Sequence, residues 1–136
     1  MIIRKAELKD AVECERLSNI SEFKMPNGDV PDADSFKKSI DKIFFVAEDN
    51  NKVIGLILGY KLIDDFVYLD LFTVDSNYRG KNIGQKLLFR FRDELKKQFV
   101  KQYFLIAPTH NEKTLNFYRK NGLTEGKQYT LFCEDM

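Results

Sequence analysis

Between an apolar run and a long amphipathic segment the chain reads YRGKNIGQKLL, residues 78–88. Gly80 and Gly84 bracket Asn82, and glycine and asparagine are the residues that most readily take a left-handed backbone. At a helix entrance such a stretch leaves the first amide N–H groups without intrahelical acceptors, so that several can converge on one anion. Arg79 and Lys81 add positive charge at the same helix end. The stretch matches neither common nucleotide motif. A Walker loop needs G-x-x-x-x-G-K-[S/T], whereas Gly84 is followed by Gln85, and a dinucleotide fingerprint needs G-x-G-x-x-G. The competing reading is a tight strand-to-helix turn whose glycines serve packing alone.

Three other positions carry chemistry. Asp70 sits in the middle of YLDLFTV, residues 68–74, and strict alternation places Tyr68, Asp70 and Phe72 on one face of a strand. A carboxylate in so apolar a strand either pairs with a cation, recognises a charged ligand, or takes up a proton. Tyr118 follows Phe117 in a helical segment, where a packed ring is its ordinary role. Asn111 opens that segment and suits an N-cap, a job for which Thr109 and Glu112 compete. His110 is the single histidine, and without Cys or His neighbours it makes no zinc site and no Ser-His-Asp arrangement. Cys14 and Cys133 are far apart and read as small buried or half-buried residues.

These residues need elements to hold them. Ile2 to Lys5 forms a short strand, and Asp10 with Glu13 has the form of a capping box for a helix placing Ala11, Cys14 and Leu17 at helical spacing. Residues 24–32 hold two prolines and a glycine and form a loop. Ala33 to Asp41 makes a short helix, with Phe36 and Ile40 four apart. IFFVAE from Ile43, the turn DNNK and VIGLILGYKLI then make a hairpin. A turn at Asp64–Asp65 leads to a third antiparallel strand, Phe66 to Val74. A helix from Ile83 to about Phe99 carries Ile83, Leu87, Phe91 and Leu95 on one stripe. QYFLIAP, a helix stopped by Gly122 at the C′ position, and a closing strand from Tyr129 to Glu134 complete the chain. The order is β-α-α-β-β-β-α-β-α-β, an α/β chain with a mostly antiparallel sheet. The passage from Phe66 to Ile106 has the form of a right-handed crossover between parallel strands.

The 136 residues suit one domain spanning 1–136, large enough to bury a core without disulfides or metal. Lys plus Arg (22) nearly cancels Asp plus Glu (21), which argues against wholesale binding of nucleic acid or an anionic membrane. The N-terminus lacks the apolar core of a signal peptide, and no run approaches membrane-spanning length, so a cytoplasmic location is expected. The exposed edge of the last strand and FRFRDELKK are the surfaces a homodimer would use, although nothing in the sequence requires one.

VDSNYRGKNIG, residues 74–84, resembles the acetyl-CoA pyrophosphate loop of the GNAT family of N-acetyltransferases, commonly R-G-x-G-I-G. Asn82 stands where the second glycine is expected, and Ser76 replaces a frequent proline. NEKTLNFYRKNGL, residues 111–123, resembles the family's N-x-x-A-x-x-F-Y-x-x-x-G-F, about 30 residues on and in family order.

The resemblance implies a GNAT-like fold, acetyl-CoA as co-substrate without metal, and direct transfer of acetyl to a primary amine. It implies that Arg79, Gly80, Lys81, Asn82, Ile83, Gly84 and Gln85 hold the pyrophosphate. The amides of Phe72, Thr73 and Val74 would meet the acetyl carbonyl and pantetheine arm, beside a strand bulge, and the Asn111 amide would reach the same arm. Tyr118 would then serve as general acid at the CoA sulfur; free phenol and thiol pKa values lie within about two units, close enough for proton transfer. Asp70, or a water it orients, would accept the amine proton, with Glu48 and Glu22 as weaker candidates. The acceptor wall is expected between Ser21 and Ser39, where Glu22, Asp29, Asp32 and Asp34 suit a small cationic amine such as a polyamine. The alternatives are a peptide or protein N-terminal or lysine acetyltransferase and, from another class, a non-catalytic CoA-binding sensor or interaction module.

Overall fold

A computed structural model of the chain describes residues 1–63 and 65–136. The turn expected at Asp64–Asp65 therefore lies partly outside the described residues. Five strands form one sheet: β1 (Ile2–Lys5), β2 (Ile43–Asp49), β3 (Lys52–Lys61), β4 (Phe66–Val74) and β5 (Gln102–Phe104). They lie side by side in chain order, antiparallel except for the parallel pair β4–β5. The helices are α1 (Ala11–Asn19), α2 (Ala33–Lys38), α3 (Ile83–Lys97) and α4 (Glu112–Lys120).

The β2–β3 hairpin turns on Asn50 and Asn51, both with positive φ (49° and 63°), the two-residue geometry whose twist matches that of the strands. Each sheet face has its own core. On one, α3 buries Ile83, Leu87, Phe91 and Leu95 against Phe45, Ile57, Val67 and Leu69. That stripe repeats at helical spacing, and each such side chain contributes about 1.5–3 kcal/mol on burial. On the other face, Ala11, Cys14 and Leu17 of α1 and Phe36 of α2 cover Phe44, Val46, Leu56 and Leu58. Burial pushes the Cys14 thiol up to about 12, which leaves it a core residue and no nucleophile.

The register of β3 against β4 slips once. Leu58 lies opposite Leu71 and the next residue, Gly59, opposite Leu69, so Asp70 is the extra residue of a bulge in β4. Alternation breaks there. Val67 and Leu69 face α3, Leu71 faces α1 and α2, and Phe72 and Val74 face α3 again. Phe72 is thus on the opposite face from Tyr68 and Asp70, because the bulge consumes one step of the pleat. The bulge lies at Asp70, upstream of the Phe72–Val74 segment where the resemblance led us to expect it.

Gly59 faces the bulge, and a Cβ there would stand 2.8 Å from the Phe91 ring and 2.9 Å from the Tyr68 carbonyl oxygen. Neither the ring of a packed helix nor a strand carbonyl moves aside cheaply. Gly59→Ala is therefore expected to destabilise the fold by about 1–3 kcal/mol, read as a lower denaturant midpoint at unchanged m-value.

Three expectations need correction. The closing strand from Tyr129 to Glu134 does not form; the segment is irregular, with Tyr129 85% and Phe132 91% exposed. Its alternation of types is a pattern with no partner strand, and Cys133 is accordingly exposed. Asp10 does not cap α1. It closes a capping box with Glu7 around a 3₁₀ turn (Leu8–Asp10) and is held by Arg4 through two bonds of 2.8 and 2.9 Å. Glu48 belongs to this cluster, 3.2 Å from Arg4, and takes no part in the site described next.

Candidate active site

The parallel pairing of β4 with β5 ends at Tyr68 opposite Phe104, while β4 runs on to Val74. Past that point the two chains part, and half of the peptide groups of Leu69–Val74 face a gap instead of a neighbouring strand. The gap is the mouth of a cleft of about 490 Å³. Its walls are Leu69–Val74, the junction residues 78–80 and 82–85, residues 105–108, the inward side of α4, and Ser21–Phe23 from the α1–α2 loop.

Asp75, at the end of β4, fixes the approach to the junction. It is buried and accepts the Asn77 amide at 3.1 Å and Arg16 Nη1 at 3.0 Å. The amide bond, opposed by burial and helped by Arg16, holds its carboxyl below the usual range. A carboxyl depressed in the folded state stabilises above its unfolded pKa of about 3.9 and loses that contribution as pH falls through the folded value. The Asp75→Asn variant should therefore show a smaller stability loss between pH 6 and acid than the parent, measured by denaturation at several pH values.

Gly80 takes φ +81° and Asn82 φ +61°, ψ +20°. Asn82 thus adopts the left-handed conformation of the glycine it replaces, at the N-cap of α3. The helical ladder starts with Lys86 N–H to the Asn82 carbonyl (3.0 Å), so the amides of Ile83, Gly84 and Gln85 emerge at the helix mouth, where all three residues line the cleft. A Cβ on Gly84 would meet Phe117 at 3.5 Å and Phe72 at 3.7 Å, ordinary contacts. Packing does not demand glycine there, and its absence of a side chain leaves the amides of the helix mouth open to the cleft. Because Asn82 already holds the required geometry, Asn82→Gly should leave acetyl-CoA affinity within about twofold. Asn82→Val incurs roughly 1–2 kcal/mol in that conformation and should weaken binding about tenfold, both read by calorimetric titration.

Of the residues expected to bind the cofactor, Phe72, Thr73, Val74, Arg79, Gly80, Asn82, Ile83, Gly84, Gln85, Asn111 and Tyr118 line this cleft. Lys81 does not; its ammonium lies 5.4 Å from the Tyr78 ring centroid. Asn111 is the N-cap of α4, accepting the Thr114 amide at 3.2 Å, while its side-chain N–H donates to Glu22. Tyr118 projects from the last turn before the Schellman ending at Gly122, its ring 6.3 Å from that of Phe72 and 5.5 Å from that of Phe117. Burial pushes its phenol up to about 12. Asp70 lines the opposite wall and accepts the Tyr60 hydroxyl.

The acidic rim shrinks to one residue. Asp32 caps α2 through the Ser35 amide (2.9 Å), Asp29 binds Asn27, and of the acidic residues between Ser21 and Ser39 Glu22 alone lines the cleft. Lys113 and Lys120 also line it, on either side of Phe117, and neither lysine was singled out in the sequence. Their 4- and 3-residue spacing from Phe117 is the signal that puts them on one helix face.

Among the described residues no helix is long and apolar enough to cross a membrane, and no group of three or more His, Cys, Asp or Glu is placed to hold a metal. The family model for the GNAT acetyltransferases matches residues 10–123. The fold is also that of several solved structures. Ard1 from Thermoplasma volcanium superposes with a TM-score of 0.83 at 22% identity, over 93% of this chain and 84% of that one. The PaiA N-acetyltransferase from Thermoplasma acidophilum, in complex with coenzyme A, gives 0.81 at 21% identity over 94% and 92%. An aminoglycoside acetyltransferase from an uncultured soil metagenomic sample, in complex with sisomicin, gives 0.80 at 23% identity over 99% and 95%. The matched segment contains both the glycine-bearing junction and α4, and the chain belongs to the GNAT family of N-acetyltransferases, with acetyl-CoA as its acetyl donor.

Proposed function

We propose that the chain acetylates a primary amine of a small cationic acceptor, of the polyamine type, by direct transfer within the cleft. The observation that carries this reading is that Asp70 and Glu22 open onto the same cleft as the amides of Ile83–Gln85. An anionic cofactor phosphate suits the helix mouth, and a cationic acceptor suits the carboxylate side. The Asn111–Glu22 bond ties the α1–α2 loop to α4, which favours an enclosed pocket over the open groove a peptide needs. Among the structures similar in fold, the aminoglycoside acetyltransferase is in complex with sisomicin, a molecule bearing several amines.

In this reading Arg79 and the amides of the junction bind the pyrophosphate, and peptide N–H groups of Phe72–Val74 bind the arm and the carbonyl oxygen. The amine nitrogen attacks the thioester carbon, the C–S bond breaks, and Asp70 or a water it orients accepts the amine proton. Tyr118 meets the departing sulfur. Burial pushes its phenol up to about 12, which keeps the hydroxyl protonated as a hydrogen-bond donor that stabilises the departing thiolate. On this reading the Tyr118 hydroxyl, which the resemblance casts as general acid, contributes at least a hydrogen bond to the sulfur. The setting is the cytoplasm, where the sequence leads us to place the chain.

The test is kcat/KM for acetyl-CoA-dependent transfer to spermidine, free lysine, an aminoglycoside and a peptide amine. The reading expects spermidine to exceed the peptide by at least about tenfold, and Glu22→Gln to raise the spermidine KM. A peptide preferred over every small amine would move the assignment to a protein acetyltransferase.

A further inference from the structure

The bulge that brings Asp70 to the cleft leaves its carboxylate with two unlike oxygens. One, Oδ2, accepts the hydroxyl of Tyr60 from the neighbouring strand; the other has no protein donor among the described residues. Tyr60 lies opposite Tyr68 in the β3–β4 ladder and packs with the α1–α2 core beside Leu58. It is not part of the cleft lining, so it reaches the cleft only through Asp70.

We propose that Tyr60 is a positioning residue for acetyl transfer: its hydroxyl pins Oδ2 of Asp70 and thereby aims Oδ1 at the acceptor amine. The inference rests on the reading of Asp70 as proton acceptor. A residue in a bulge lacks a ladder partner, so its side chain is less restrained by the strand than its neighbours'. A carboxylate on two rotatable bonds needs a second contact to hold one oxygen toward the reacting nitrogen, and small misplacements of a reacting group are costly. Tyr60 supplies that contact from a rigid central strand. It keeps its own proton, because burial and the neighbouring Asp70 carboxylate both push the phenol up. In the step itself the nitrogen lone pair forms the C–N bond, the amine proton passes to Oδ1, and the C–S bond breaks with its electron pair leaving on the CoA sulfur as thiolate. Tyr68, whose phenol is pushed up by burial and by the same carboxylate, flanks the pair, its ring 5.2 Å from that of Phe104.

The test uses the full chain with acetyl-CoA and spermidine. Tyr60→Phe deletes one oxygen and keeps the ring in its packing site. The expected result is a fall in kcat of about 10- to 100-fold, with the acetyl-CoA Kd unchanged by titration and the spermidine KM within about twofold. In an Asp70→Asn background the same substitution should cost less than about twofold, because the oxygen it aims is already gone. Unchanged kcat in Tyr60→Phe overturns the proposal, as does an equal fold-loss in both backgrounds, which would mark a purely structural role. Should Tyr60→Phe lower the melting temperature markedly, Tyr60→His, which retains a ring donor, replaces it. Recovery of kcat with His relative to Phe supports the pinning, and equal kcat in both contradicts it. If Asp70→Asn alone leaves kcat intact, the proton-acceptor reading fails by itself, independently of Tyr60.

Discussion

Tyr118→Phe is expected to lower kcat by about 10²–10³-fold, the typical effect of deleting one donor from a charge that develops in the transition state. The affinity for acetyl-CoA should stay within a few-fold, because the ring remains to pack between Phe72 and Phe117. The phenol pushed up by burial to about 12 adds a pH signature. A group whose folded pKa is raised contributes stability that is complete below its unfolded value near 10 and is lost as pH rises through the folded value. The hydroxyl is therefore a donor at every pH up to that range, and no basic limb attributable to Tyr118 should appear in kcat below about pH 11. Steady-state kinetics of both proteins from pH 6 to 11 check this. A basic limb near pH 8–9 that disappears in Tyr118→Phe would add the role of true proton donor.

Asp70→Asn should carry the second large loss, about 10²–10⁴-fold in kcat/KM, the range for removing a positioned general base. The division between the two constants is the informative part. If Asp70 accepts the proton, kcat falls and the acceptor KM changes little, since the isosteric amide still occupies the bulge. If Asp70 serves chiefly to attract a cation, KM rises and kcat persists. Glu22→Gln provides the contrast. It sits at the edge of the cleft, bound to Asn111, and should raise KM for a charged acceptor without a comparable loss in kcat. Initial rates over a matrix of acetyl-CoA and spermidine concentrations separate the two constants for each variant.

How far the sequence could be read depended on whether a feature is local. The strand Phe66–Val74 and the start of α3 at Ile83 appear where alternation and the glycine-bearing stretch place them. The left-handed Asn82 follows from the residue type and its place in the loop. The bulge at Asp70 is another matter: a slip in register belongs to two strands, and β4 alone shows unbroken alternation. That is why Phe72 reads as a neighbour of Asp70 yet packs on the other face with Phe117, ring centroids 5.7 Å apart. Tyr60 carried no signal at all, since a tyrosine in a strand is ordinary until its partner is known. The segment from Tyr129 failed in the opposite way, with good strand residues and no strand beside them. The acidic loop misled for a simpler reason: Asp29 and Asp32 close local turns and caps, which is what short acidic side chains in loops commonly do.

The most direct measurement is to incubate the protein with spermidine and acetyl-CoA labelled in its acetyl group, and to locate the label by mass spectrometry. Label is expected on a terminal primary nitrogen of spermidine, with one free thiol released per label transferred and the rate strongly reduced in Asp70→Asn. Tight binding of acetyl-CoA with no label on spermidine or any other amine offered would contradict it.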